Sequence, residues 1–181
     1  MWPNLRNYLA LQLLWLAAVA GAGRGWWWAG PVALLLFVAL HFGLHWQARG
    51  DLLLMLAALL LGSVVDSLAT MSGVVHYAAA WPFPSLAPLW ILALWMGLGL
   101  TLNHSFGWLM RRPALAVPVM ALGGPLSYWG AQASFGAVHF STPPFVGLLL
   151  IGVSWAVATA VLAALVLHLR RPAPLSMRGV E

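Results

Sequence analysis

LLLMLAALLLGSVVDSLATMSGVV, residues 52–75, is an unbroken apolar stretch with a single acid, Asp66, near its middle. At ~1.5 Å rise per residue it is long enough, as a helix, to cross the ~30 Å hydrocarbon core of a bilayer. A carboxylate at that depth costs roughly 2.5–3.5 kcal/mol on insertion, so it needs a partner or a purpose. The other two acids, Asp51 and Glu181, fall at a membrane edge and at the C-terminus, where solvent would account for them. Asp66 is therefore the acid that demands an explanation.

The rest of the chain has the same apolar character. Of its 181 residues, 63% are hydrophobic and 6% charged, and the mean hydropathy is +0.92. A water-soluble domain carries about 25% charged residues, so lipid must cover this surface. Six apolar segments are predicted, near residues 5–22, 28–46, 52–75, 88–109, 114–133 and 144–169. The connections are short, with no linker or internal repeat. The expected fold is all-α, one integral membrane domain over residues 1–181, with no separate soluble unit. A transmembrane barrel would show short alternating strands instead.

All eight basic residues are arginine, a composition typical of a GC-rich bacterial genome. Arg6, Arg49, Arg111, Arg112, Arg170, Arg171 and Arg178 fall on one side of a six-span drawing, and only Arg24 on the other. That asymmetry predicts both termini in the cytoplasm and a multi-pass protein of the bacterial inner membrane. Trp26, Trp27, Trp28 and Trp46 suit interfacial belts, as do Trp81 and Trp90 on the outer side. The arginines build no basic face, so no nucleic-acid partner is expected despite a net charge of +5. With no cysteine there is no disulfide or thiolate chemistry. The basic start and the small residues Ala18-Val19-Ala20 also fit a cleavable signal peptide, against which a retained first helix keeps both ends inside.

Two polar layers emerge when sequence position is converted to depth. Ser63, Asp66, Ser67 and Thr70 share a helix face. Tyr128 reaches a depth similar to Asp66, and Gln132 lies one turn further, so both are candidate hydrogen-bond partners for it. The face is either a structural polar seam holding a protonated Asp66 or a site where Asp66 is a proton acceptor, catalytic acid or cation ligand. Nearer the cytoplasm, His41 and His45 are one turn apart, and Asn103, His104 and Ser105 interrupt an otherwise apolar helix. His41, His45 and His104 could ligate zinc, although no glutamate accompanies them as in zinc-protease helices. The alternatives are neutral, hydrogen-bonded histidines or acid–base work by His104. Gly123-Gly124-Pro125 serves either tight packing or a hinge beside a cavity. His76 and His139 are expected in outer loops, and His168 at a helix end.

Leu61-Gly62-Ser63-Val64-Val65-Asp66-Ser67-Leu68, Thr101 to Trp108 (TLNHSFGW) and Gly123-Gly124-Pro125-Leu126-Ser127-Tyr128 together resemble a family of small bacterial inner-membrane proteins catalogued as a domain of unknown function. The resemblance implies association with gene clusters for cyclopropane-fatty-acid-synthase-like methyltransferases and flavin-dependent oxidoreductases, and hence with membrane fatty acyl chains. A weaker similarity is to alkaline ceramidase-type hydrolases, which set three histidines, an aspartate and a serine around zinc. Here the His41/His45 pair comes early rather than late, so no roles carry over.

Three functions compete. The first is an enzyme or enzyme subunit modifying or handling membrane fatty acyl lipids, with Asp66, Asn103, His104, Ser105 and Tyr128 as candidate catalytic residues and membrane lipid as partner. The second is a proton- or cation-coupled carrier using Asp66 and a broken helix. The third is a non-catalytic scaffold for other membrane enzymes. No cofactor is expected beyond the zinc considered for His41, His45 and His104.

Overall fold

The apolar segments fold into a helical bundle. The computed structural model describes residues 2–44, 50–141 and 143–170. Its helices are α1 (Trp2–Ala22), α2 (Ala29–Gly43), α3 (Asp51–Met71), α4 (Leu89–Gly99), α5 (Gly107–Met110), α6 (Pro113–Phe135) and α7 (Pro144–Leu169). Two short strands, β1 (Val75–Tyr77) and β2 (Val138–Phe140), pair antiparallel, with His76 opposite His139. The fold is thus mostly helical, with a small ribbon that an all-α reading omits. Both strands come from connections expected to be loops, and His76 and His139 do project outward from them.

Three helices, α1, α3 and α7, are long and apolar enough to cross a membrane. They, together with the composition, mark a membrane protein. Large apolar side chains cover the outside, among them Leu13, Leu35, Leu60, Leu122 and Leu149, each more than half exposed. A soluble monomer rarely presents so continuous an apolar surface.

The segment at 88–109 departs from expectation, because it is not one helix. α4 stops at Gly99, the chain then runs through turns over residues 100–106, and α5 is a single turn. Gly97 and Gly99 weaken the helix. The Thr101 hydroxyl then donates to the Leu98 carbonyl at 2.6 Å, competing with the backbone ladder. Buried Asn7 of α1 closes the break. Its amide donates to the Leu100 carbonyl at 3.2 Å, and its Oδ1 accepts from the Ser105 hydroxyl at 2.7 Å. Non-helical backbone at membrane depth is tolerated where protein satisfies it in this way.

The Gly123-Gly124-Pro125 stretch is helical throughout, with no unwound segment, and it serves packing at Gly124 while Gly123 lines a cavity. Gly124 lets α7 approach, since a Cβ there would lie 2.5 Å from the Trp155 ring. Pro125 cannot donate to the Ala121 carbonyl, and that oxygen instead faces Gly152 of α7. Trp90, expected at the outer interface, is fully buried, and its indole donates to the Ala78 carbonyl at 2.9 Å. Trp81 is exposed and stacks on Trp27 with ring centres 4.1 Å apart.

Candidate functional site

Asp66 is completely buried and accepts three hydrogen bonds. The Tyr77 and Tyr128 hydroxyls donate to Oδ1 at 2.5 and 2.6 Å, and the Trp95 indole donates to Oδ2 at 2.6 Å. One carboxyl therefore joins α3 to β1, α4 and α6. Local sequence makes this possible at two points. Alternation along β1 turns Val75 and Tyr77 inward and His76 outward. Gly62, one turn before Asp66, leaves the space that the Trp95 ring fills. Burial, and then the neighbouring Asp66 carboxyl, raise the Tyr77 phenol well above its ordinary value, so it stays a donor.

The expected partners are half right. Tyr128 meets Asp66, but Gln132 does not: its Oε1 accepts from the Phe140 backbone N–H at 3.0 Å and so holds β2. Nor do the other seam residues join the carboxyl. Ser63 and Thr70 donate to the Leu59 and Asp66 backbone carbonyls of their own helix, and Ser67 accepts from the Ala87 N–H. Tyr77 escapes a depth argument because it lies on a connection. Trp95 escapes because a tryptophan in an apolar helix reads as packing.

A second centre surrounds Asp51, which is 2% exposed rather than a solvated edge charge. His41 Nε2 and His104 Nε2 lie 2.9 and 2.8 Å from its Oδ2. The Asn103 amide donates to Oδ1 at 2.9 Å. Asp51 opens α3 and meets His41 near the end of α2. The first turn of α3 also suits a negative charge. Arg170 reaches the carbonyl and Oδ1 of Asn103 at 3.3 and 3.4 Å. His45 lies outside the described residues.

The five candidate catalytic residues thus divide. Asp66 and Tyr128 belong to one centre, Asn103 and His104 to the other, and Ser105 binds Asn7. Fifteen residues of α3 separate the two aspartates, about 22 Å of helix.

A cavity of about 590 Å³ lies between α1, α4 and α6. Leu11, Leu94, Met120 and Leu126 give it an apolar wall. Its lining also includes Phe106, in the turn that carries His104, and Trp95 and Tyr128, two of the three donors to Asp66. The Trp15 indole donates to the Ser127 hydroxyl across it at 2.8 Å. Trp155 also lines it, its ring edge-on to that of Tyr128 with centres 6.5 Å apart.

No curated protein and no solved structure matches the chain. A family model described as "Protein of unknown function (DUF2878)" matches residues 4–161, nearly the whole chain. The three sequence stretches quoted above, both aspartates and every residue named on the cavity wall fall inside that match, and the chain belongs to the DUF2878 family.

Proposed function

We propose that this protein takes a fatty acyl chain of a membrane lipid into the cavity between α1, α4 and α6 and handles or modifies it there. The carrying observation is the cavity itself. Its volume lies in the ~300–1,000 Å³ range of small-molecule sites, its wall is chiefly apolar, and Trp95 and Tyr128 contribute to that wall. An acyl chain needs apolar surface along its length and a few polar groups, and this wall supplies both. Trp155 and Ser127 add polar atoms to the same wall. Asp66 is a positioning residue in this reading, because it holds the Tyr128 hydroxyl and Trp95 indole in fixed orientations. Asn103 and His104 stand apart from the cavity wall.

The membrane setting belongs to the same proposal: six passes, both ends cytoplasmic, in a bacterial inner membrane. The arginine asymmetry supports it. So does the approach of both the Arg111 and the Arg170 side chain to Gly107, which brings the ends of α5 and α7 to one face.

Gly123→Leu tests the acyl reading. A Cβ at Gly123 meets nothing within 4 Å, and the side chain would enter the cavity. The wild type, purified in nanodiscs, is expected to retain acyl lipid by mass spectrometry, and Gly123→Leu to lose it while staying folded. In cells, deletion should change the fatty-acid profile and Gly123→Leu should reproduce that change. If deletion alters the profile and both Gly123→Leu and Asp66→Asn leave it as wild type, the cavity does no lipid chemistry and a scaffold is the better description.

A further inference from the structure

His41, Asp51 and His104 come from three separate places: the end of α2, the start of α3 and the turn between α4 and α5. Each offers one ligand atom, and the three atoms lie within 4.8 Å of one another. Both imidazoles direct Nε2 at the same carboxylate oxygen, Oδ2, at 2.9 and 2.8 Å. We propose that these residues bind a divalent transition-metal ion, zinc being the ion their chemistry fits first.

The donor set is two imidazoles and one carboxylate, a combination used by zinc and by non-haem iron. Among the described residues three protein ligands are offered, the number found in catalytic zinc sites. The surroundings match what such a ligand set requires. The Asn103 amide holds Oδ1 at 2.9 Å, which fixes the carboxylate with Oδ2 turned to the histidines. Outer partners of this kind orient metal-binding carboxylates, and their loss costs about 10–100-fold in affinity. His41 and Asp51 are buried, and His104 is 12% exposed, so the cluster is shielded yet reachable from one side. The set differs from the sequence-derived trio in one respect. Asp51, read as an edge charge, supplies the anionic ligand.

Hydrogen bonding alone is the competing account, and glutamine separates the two. His104→Gln keeps an N–H that can donate to Asp51 but removes a good metal ligand. Full-length protein in detergent would be stripped, loaded with cobalt(II), and followed by its visible absorption during zinc titration, with bound metal counted by mass spectrometry. The expected result is about one ion per chain in wild type and in His139→Ala, an exposed histidine elsewhere. Affinity should fall about 10–100-fold in Asn103→Ala, and binding should be lost in His104→Gln with the helical circular dichroism unchanged. Wild type that holds no more cobalt or zinc than His104→Gln would overturn the site. So would His104→Gln binding as tightly as wild type. The acyl cavity would stand in either case, because none of the three ligands lines it.

Discussion

At the scale of single residues, the energetics turn on donors that have nowhere else to go. Tyr128 and Trp95 are buried, and both donate to Asp66. Tyr128→Phe removes one interhelical bond, which in membrane bundles averages about 0.6 and reaches about 1.7 kcal/mol. Its cost in SDS-titrated unfolding should lie near the upper figure, because the acceptor is a carboxyl. Asp66→Ala is more severe. It strands three buried donors, each worth about 1–3 kcal/mol when left unpaired. A loss of more than about 3 kcal/mol is expected, and one equal to that of Tyr128→Phe would show that the three bonds do not act together. The sequence made half of this visible. Asp66 and Tyr128 could be matched by depth because both sit in long helices of known rise. Tyr77 could not, since its position depends on a strand pairing between residues more than sixty apart. Asp51 was misread for a related reason: an acid at a segment end is normally solvated, and only the fold shows two histidines closing over it.

At the scale of elements, the adjacent glycines of α6 have opposite duties. Gly123 faces open space, and Gly124 faces Trp155. Gly123→Ala should therefore stabilise the protein by up to about 1 kcal/mol through helix propensity. Gly124→Ala should destabilise it by about 1–3 kcal/mol through overpacking against α7. Paired thermal melts in one detergent check both signs, and equal shifts would refute the packing account. Gly62→Ala, whose Cβ would fall against the Trp95 ring, should behave like Gly124→Ala and should also alter the Trp95 environment. The helix at 144–169 lies where the apolar run does, because Pro144 starts it and no charged residue interrupts it. The break after Gly99 was missed. Asn103, His104 and Ser105 were seen as polar intrusions into a helix, whereas the glycines before them and Asn7 opposite make a turn the cheaper arrangement.

At the scale of the whole molecule, the apolar exterior and the arginine distribution lead to an orientation that reporters can measure. Alkaline phosphatase fused after the last helix should be inactive, and phosphatase inserted in the connection between β1 and α4 should be active. Fluorescent protein at the C-terminus should mature and emit. The reverse pattern would invert the proposed topology. The mostly helical class was readable from composition because hydropathy needs no tertiary information. The cavity was not, because it depends on how far apart α1 and α6 stand.

The ribbon of β1 and β2 bears on how the nascent chain is made. α3 is synthesised long before its carboxyl can be fully satisfied: Tyr128 lies 62 residues downstream of Asp66, and the strand that steadies Tyr77 follows later still. The third helix must therefore wait in the translocon or the bilayer with an unfulfilled acid until most of the polypeptide has emerged. Any product arrested before α6 would present that acid to the cell's proteases as a mark of incompleteness.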